Sequence, residues 1–497
     1  MCIMKGAIAP FFIRIIMNLV NKISHDELKL KKNEIKKIFM FRVCGTGMGA
    51  CAGLLQEKGY VVEGADTTFY PPMSTYLEST GIALHQLDEL DMDYLRGFDL
   101  IVVGNVVPRM SEDARRVEEL GVAFTSFPSA LGALVLDDVN VVGIAGTHGK
   151  TTTTYLMTQV FEKLGHNPGY FIGGVVDGRK SSTLGDGKYF FIESDEYDSA
   201  YFEKISKFRS YSIDHLILTS LEFDHADIFN DIEDIKNEFR AMLDSFKGKL
   251  IYDNSYKATN ELVSEYGKDF KENFLIAYGE ENPKIKSVAK DGTSFSLIWK
   301  GGELDFKTNL VGKHNILNLS SVILFALGEG IEYENIKSSI TNLKLVRRRQ
   351  EVRGKYQEAI VIDDFAHHPR AVELTTEGIK NLYPEKKVKV VIEPNSATAR
   401  SDIFQSEFAT ALKCADYVVF AKPQRHTSVK GAKDLDGHKI LSELEKIGVK
   451  GTIQTNLEDL VKEINKIADK DTVLLVLSNG TCLGLWQSDF VEKLINV

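Results

Sequence analysis

Gly146-Thr147-His148-Gly149-Lys150-Thr151 follows the apolar stretch Val141 to Ala145 and leads through Thr152 into a helical pattern. In such a turn the backbone N–H groups cradle phosphate oxygens, the lysine reaches the terminal phosphates and the next hydroxyl suits Mg²⁺. Ile144 stands where the full G-x-x-x-x-G-K-[ST] pattern has its first glycine, so a plain turn with a solvated lysine is the alternative. The strand before and the helix after favour nucleotide binding, with ATP the expected cofactor. A second turn, Gly45-Thr46-Gly47-Met48-Gly49, reads G-x-G-x-G, and Asp66 follows it at about the 20-residue distance of a ribose contact. It suits a second nucleotide that need not be NAD, or simply a tight turn.

Acidic and histidine clusters lie where predicted strands end, the place α/β folds build their sites. Glu193, Asp195, Glu196 and Asp198 fall in FFIESDEYDSAYF, and Asp224 and His225 in LEFDHAD. Mg²⁺ takes carboxylate and hydroxyl oxygens, so Thr151 and Glu193 suit a first ion; a histidine ligand points to a second, bridging one. Solvated loops are the plain alternative for either cluster alone. Lys313-His314-Asn315 with Asn318 suits an adenine edge or a helix cap by Asn315. Arg347-Arg348-Arg349 suits delivery of a guanidinium to a transferring phosphate, or a solvated linker. Asp363-Asp364-Phe365-Ala366-His367-His368-Pro369 fits ribose and substrate contacts better than metal, because adjacent side chains of an extended chain point to opposite sides.

These residues need strands to carry them. From Lys37 the order is apolar strand, glycine turn, helix, strand and acidic residue. A second series opens at Val139 and a third after Arg349, giving three α/β units with boundaries near 137 and 346. A chain of 497 residues holds about three domains at the usual size. Ordinary hydrophobic (43%) and charged (26%) fractions exclude a disordered or fibrous chain, and a net charge of −10 argues against a nucleic-acid partner. Cys2, Cys44, Cys51, Cys414 and Cys482 form no C-x-x-C pair, as in a reduced cytoplasmic protein. Ala7 to Val20 is apolar but interrupted by Pro10, Arg14 and Asn18, too short for a span of about 20 residues. Residues 1–36 read as a partly helical extension, with Met17 an alternative initiator and no membrane insertion expected.

In order and spacing, GTHGKTTT, the E-x-D-E cluster, the DH pair, HN-x-x-N, R-x-E and DD-x-AHHP resemble the Mur ligase family from about Lys37 onward. CGTGMG at 44–49, YPPMS at 70–74, ESDEYDSAYFEKISKF at 193–208, LEFDHADIF at 221–229 and RRRQEVRG at 347–354 favour the branch that adds a preformed peptide. The alanine-adding branch shares most chemical motifs but not YPPMS. The resemblance implies an α/β, three-domain architecture. A Rossmann-like UDP-sugar-binding domain would span 37–137, a central P-loop ATPase-like parallel-sheet domain 138–346, and a Rossmann-like domain for the incoming amine 347–497.

It also implies roles. Gly45, Thr46, Gly47, Met48 and Gly49, with Asp66 and Asn105, would hold the UDP-sugar. Gly146, Thr147, His148, Gly149, Lys150, Thr151 and Thr152 would hold ATP phosphates, Thr151, Glu193 and His225 two Mg²⁺ ions, and Arg349 the γ-phosphate. His314, Asn315 and Asn318 would lie near adenine and Asp364 near ribose. His367, His368, Asn395, Arg400, Ser478 and Asn479 are the candidates for gripping the peptide. The implied reaction is ATP-dependent joining of UDP-N-acetylmuramate to L-alanyl-γ-D-glutamyl-meso-diaminopimelate in cell-wall recycling, with catalysis by Lys150, Glu193, His225 and Arg349. Several relatives carry a carbamylated lysine where Arg240 stands, which leaves the second metal's ligands open. A folylpolyglutamate synthase-like ligase and a non-catalytic nucleotide-binding protein are the distant alternatives.

Overall fold

The computed structural model describes residues 18–71, 73–173, 179–268, 270–271, 274–289 and 291–495. Cys2, Met17 and the rest of 1–17 lie outside the described residues. The chain divides into two compact units, one running to Val135 and including Asp198–Lys204, the other comprising Leu136–Tyr197 and the chain from Ile205 onward.

In the first unit α1 (His25–Lys31) starts at a capping box, in which Ser24 and Glu27 satisfy each other's backbone N–H. Then follow β1 (Lys37–Phe41), α2 (Thr46–Glu57), β2 (Val61–Asp66), β3 (Ala83–Gln86), β4 (Leu100–Val103) and β5 (Phe124–Ser126). They form a parallel sheet in the order β3-β2-β1-β4-β5. The order reverses beside β1, so the turn from β1 into α2 lies at the crevice such sheets use for ligands. Ala200, Tyr201 and Phe202 join the core of Phe39, Phe41, Ile101, Val103 and Phe124. The buried Glu203 carboxylate accepts hydrogen bonds from Ser126 and Ser129. That packing draws a short segment from the middle of the sequence into this unit, which contiguous boundaries read from sequence do not capture.

The second unit contains two large sheets. One is built from β6 (Asn140–Ala145), β7 (Gly169–Phe171), β8 (Ser182–Thr183), β9 (Tyr189–Ser194), β10 (His215–Leu218), β11 (Leu250–Asp253) and β12 (Leu275–Tyr278), in the order β12-β11-β10-β6-β9-β7-β8. Only β8 is antiparallel. Helices α3 (Lys150–Lys163), α4 (Ile232–Leu243) and α5 (Lys313–Gly328) follow strands of this part of the chain. Leu156, Val160 and Phe161 of α3 and Leu319, Val322 and Ile323 of α5 share one core with Val142, Ile144 and Phe191. A three-stranded antiparallel sheet, β13 (Lys284–Ala289), β14 (Gly292–Trp299) and β15 (Gly302–Thr308), precedes α5.

The other large sheet has β16 (Glu351–Tyr356), β17 (Ala359–Asp364), β18 (Lys387–Glu393), β19 (Tyr417–Ala421), β20 (Lys450–Gln454) and β21 (Thr472–Ser478) in the order β16-β17-β21-β18-β19-β20, with β16 antiparallel at the edge. Helix α6 (Pro369–Leu382) follows β17. Along β21 Val473, Leu475 and Leu477 enter one core while Leu474 and Val476 enter another, the period-2 signature of a strand covered on both faces. Among the described residues no helix is long and apolar enough to cross a membrane, and Cys44, Cys51, Cys414 and Cys482 are free.

The buried carboxylate of Glu329, just past α5, accepts from Lys188 (2.9 Å), Lys249 and Tyr189. Burial alone would raise its pKa, but these donors lower it to about 2 from 4.5. A depressed carboxylate stabilises the fold above its unfolded pKa and loses that contribution as pH falls toward the folded one. Glu329→Gln is therefore expected to cost on the order of 1–2 kcal/mol at neutral pH, allowing for partial solvation. Urea titrations should show the gap from wild type closing between pH 4.5 and about 2; a pH-independent gap would remove ionisation from its role.

Candidate active site

The turn between β6 and α3 is shaped by two glycines. Gly146 has φ of 129° and Gly149 of 82°. A Cβ on the first would lie 2.6 Å from the Ser220 carbonyl oxygen, and one on the second 2.5 Å from Asn318 Oδ1. The loop after β10 clasps this turn. Thr147 N donates to Ser220 O at 3.3 Å, His148 N to Ser220 Oγ at 2.8 Å and Glu222 N to Thr147 Oγ1 at 2.9 Å. Thr152, one residue into the helix past Thr151, is buried.

Lys150, the first residue of α3, folds back so that its Nζ donates to Gly146 O (2.6 Å) and to Glu196 Oε2 (2.9 Å), with Asp195 Oδ1 at 3.8 Å. Burial works against the ammonium, but the two carboxylates hold its pKa above the ordinary lysine value. Asp195 also accepts from Lys207 at 2.7 Å. Thr151 Oγ1 donates to Glu193 Oε1 at 2.7 Å, and Gly173 N occupies the other glutamate oxygen at 2.8 Å. The hydroxyl and carboxylate expected at a first metal therefore stand side by side. His225, with φ of 54°, lies 3.4 Å from Glu196 Oε1. Burial favours its neutral ring, yet Glu196, Asp224 and Asp195 push its pKa up to about 9. Ligand atoms of Asp195, Glu196 and His225 lie within 4.8 Å of one another.

Around the start of α5 one sequence expectation needs correction. Gly312, not Asn315, is the N-cap residue, and Asn315 lies inside the helix with its Nδ2 donating to Val311 O at 2.8 Å. The left-handed φ of 88° at Gly312 turns the chain into the helix without a side-chain cap. His314 Nε2 meets the Gln350 amide at 3.1 Å, and Asn318 faces Gly149. The three arginines separate: Arg347 pairs with Glu351, Arg348 Nη2 donates to Ser478 O (2.6 Å) and Gly480 O (2.9 Å), and Arg349 lies over the Phe365 ring, 5.0 Å from its centroid. The positive charge of Arg349 bears on both His314 and His367. Asp364 accepts from Gln350 N and Ala366 N, both at 2.8 Å.

His367 Nδ1 lies 2.9 Å from Phe365 O. His368 caps α6 by accepting from Arg370 N, and burial with the neighbouring His148 pushes its pKa down to about 3. Asn395, Arg400, Ser478 and Asn479 come together at the ends of β18 and β21. Asn395 N donates to Asn479 Oδ1 (2.9 Å), Arg400 Nη1 to Asn395 O (2.6 Å) and Ser478 Oγ to Glu393 (2.7 Å). This loop is joined to the His225 loop, since Ala226 N donates to Thr398 Oγ1 at 2.9 Å.

One sequence expectation fails here. Asp198 does not share the carboxylate cluster; it accepts from Asn105 (3.3 Å) and Lys204 in the first unit. Arg240, on α4, binds Glu265 through two bonds of 2.8 Å and also Glu233 and Asn237, none of them site residues. Its guanidinium belongs to a charged helix surface, in keeping with the departure from the lysine of several relatives. Glu222, Lys207 and Thr398 also lie against these residues, and spacing alone did not single them out. The nearest sequence signal is the placement of Glu222 two residues before the Asp224-His225 pair.

In the first unit Gly45 is the N-cap of α2, and Thr46 to Gly49 form its first turn. Asp66 is tied to that turn: its Oδ2 accepts from Cys44 N and its Oδ1 from Thr67 N, both at 2.8 Å. Arg42 braces it from the side, 3.5 Å from Oδ1 and 2.5 Å from Asp113.

Comparison with known proteins agrees with this layout. Residues 37–138 match the Mur ligase family catalytic domain, 144–326 the Mur ligase middle domain and 348–480 the Mur ligase glutamate ligase domain. UDP-N-acetylmuramate–L-alanyl-γ-D-glutamyl-meso-2,6-diaminoheptandioate ligase of Haemophilus influenzae is 33% identical over 467 residues, covering 93% of this chain and 99% of the relative. UDP-N-acetylmuramate–L-alanine ligase of Pediococcus pentosaceus is 30% identical over 390 residues, covering 77% and 84%. The crystal structure of a murein peptide ligase from Psychrobacter arcticus superposes with a TM-score of 0.64 at 26% identity, covering 93% of this chain and 99% of that one. With all three domain models in order and a relative matched over nearly its whole length, the chain belongs to the Mur ligase family.

Proposed function

We propose that the chain is an ATP-dependent ligase that joins the lactyl carboxylate of UDP-N-acetylmuramate to the free amine of L-alanyl-γ-D-glutamyl-meso-diaminopimelate, reusing wall peptides in the cytoplasm. The observation that carries the reaction class is the pairing of Thr151 with Glu193 at 2.7 Å beside Lys150, whose side chain is 11% exposed and paired with Glu196. Support for the tripeptide comes from the Haemophilus influenzae relative, which is matched over 99% of its length.

A carboxylate resists attack by an amine until one of its oxygens becomes a better leaving group. Transfer of the γ-phosphoryl group of ATP to that oxygen gives an acyl phosphate, which the peptide amine then displaces. Gly146 to Thr151 cradle the phosphates, Lys150 leaves Glu196 for the β- and γ-oxygens, and Arg349 adds positive charge from just before β16, the first strand of the second large sheet. The donors suit Mg²⁺, since Thr151 and Glu193 offer adjoining oxygens and Asp195, Glu196 and His225 converge within 4.8 Å. Bound there, Mg²⁺ would neutralise phosphate charge. His314, Asn315 and Asn318 line the adenine side and Asp364 the ribose side. Asn395, Arg400, Ser478 and Asn479, with His367 and His368, receive the peptide, while Gly45 to Gly49, Asp66 and Asn105 hold the UDP-sugar. The alanine-adding activity of the Pediococcus pentosaceus relative is the second reading, favoured by its 30% identity.

Mass spectrometry of reactions containing ATP, Mg²⁺, UDP-N-acetylmuramate and either the tripeptide or L-alanine separates the two. The UDP-muramyl-tripeptide is the expected product, and alanine product alone would move the chain to the other activity. Lys150→Ala and Arg349→Ala should each lower kcat by on the order of 10²–10³ with the fold retained by circular dichroism. A near-native rate in either variant would remove that residue from the phosphoryl-transfer step.

A further inference from the structure

A second polar cluster lies on the other side of the phosphate-binding turn from Glu193. His148 Nε2 is 3.0 Å from Glu222 Oε2, and the His148 ring sits 4.6 Å, centroid to centroid, from that of His368. The His368 ring is held on another side by Phe404, whose centroid is 4.7 Å away. Ligand atoms of His148, Glu222 and His368 all lie within 4.8 Å of one another. His368 is only 7% exposed, and its Nε2 has no hydrogen-bond partner. A buried ring nitrogen without a partner is a cost the fold does not ordinarily leave in place.

We propose that His148, Glu222 and His368 form a binding site for a borderline transition-metal ion, Zn²⁺ first, separate from the carboxylate-rich Mg²⁺ ligands. Two imidazoles and one carboxylate are a donor set that Zn²⁺ takes with a fourth position left open, whereas Mg²⁺ prefers oxygen and keeps its water. The three residues come from the phosphate-binding turn, the loop after β10 and the N-terminus of α6. An ion there ties the turn to α6. Ligation through His368 Nε2 moves the ring proton to Nδ1 and gives up the cap on Arg370 N, a contact already long at 3.3 Å. No proton has to leave the protein for that exchange.

The test uses the full chain stripped with a chelator and titrated with Zn²⁺ against a chromophoric chelator in excess Mg²⁺, without nucleotide. One Zn²⁺ per chain should resist the Mg²⁺. Glu222→Gln and His368→Ala should each weaken it by more than the roughly 10–100-fold that loss of an outer-sphere partner costs. His225→Ala should leave it in place. Glu222→Gln preserves side-chain volume, so its loss of metal is not a folding defect, and Zn²⁺ should raise the thermal transition of wild type but not of this variant. Absence of Mg²⁺-resistant Zn²⁺, an affinity unchanged by Glu222→Gln and His368→Ala, or loss confined to His225→Ala would each overturn the proposal.

Discussion

A lysine ammonium removed from water must be met by negative charge, and in this protein Lys150 is met by Glu196 and Asp195. Much of the site follows from that requirement. The carboxylates can reach Lys150 because β9, which leads into them, lies directly beside β6, which leads into the phosphate-binding turn. On the other side of β6 lies β10, whose following loop brings Ser220 and Glu222 to the turn and His225 to Glu196. Three adjacent parallel strands thus deliver the lysine, its counter-charges and the clasp that fixes the turn. Lys207 balances Asp195, so the anionic cluster is met by a second ammonium besides Lys150.

The convergence of Lys150, Thr151, Glu193 and His225 was legible in the sequence because each sits within a few residues of an apolar strand's end, where local spacing and α/β topology together define position. The cap was offered to Asn315 rather than Gly312 because Asn is a favoured cap on propensity, while the left-handed backbone that decides the matter is invisible in composition. Asp198 reads as part of one acidic run, yet the packing of Tyr201 and Phe202 carries it into the other unit. Glu222 and Thr398 gain their roles only through partners distant in sequence, His148 and Ala226. Such contacts depend on how sheets and loops meet, which no periodicity reports.

Asp66 illustrates how a residue placed by motif spacing can first serve the backbone. Its two oxygens hold the amides of Cys44 and Thr67, so it sets the shape of the Gly45 to Gly49 turn. Asp364 does the same for the segment around Arg349, accepting from Gln350 N and Ala366 N. Both carboxylates stiffen the loop that presents neighbouring groups, and the charge-assisted bonds they make are among the stronger ones available.

The hydrogen bond from Ala226 N to Thr398 Oγ1 has a mechanical meaning. Its donor adjoins His225 and its acceptor lies two residues before Arg400, so one bond joins the loop carrying the charge cluster to the loop that collects the peptide candidates. Thr398 is buried and β-branched, so its hydroxyl is held where it stands. The bond therefore acts as a rivet: a shift of either loop is passed directly to the other.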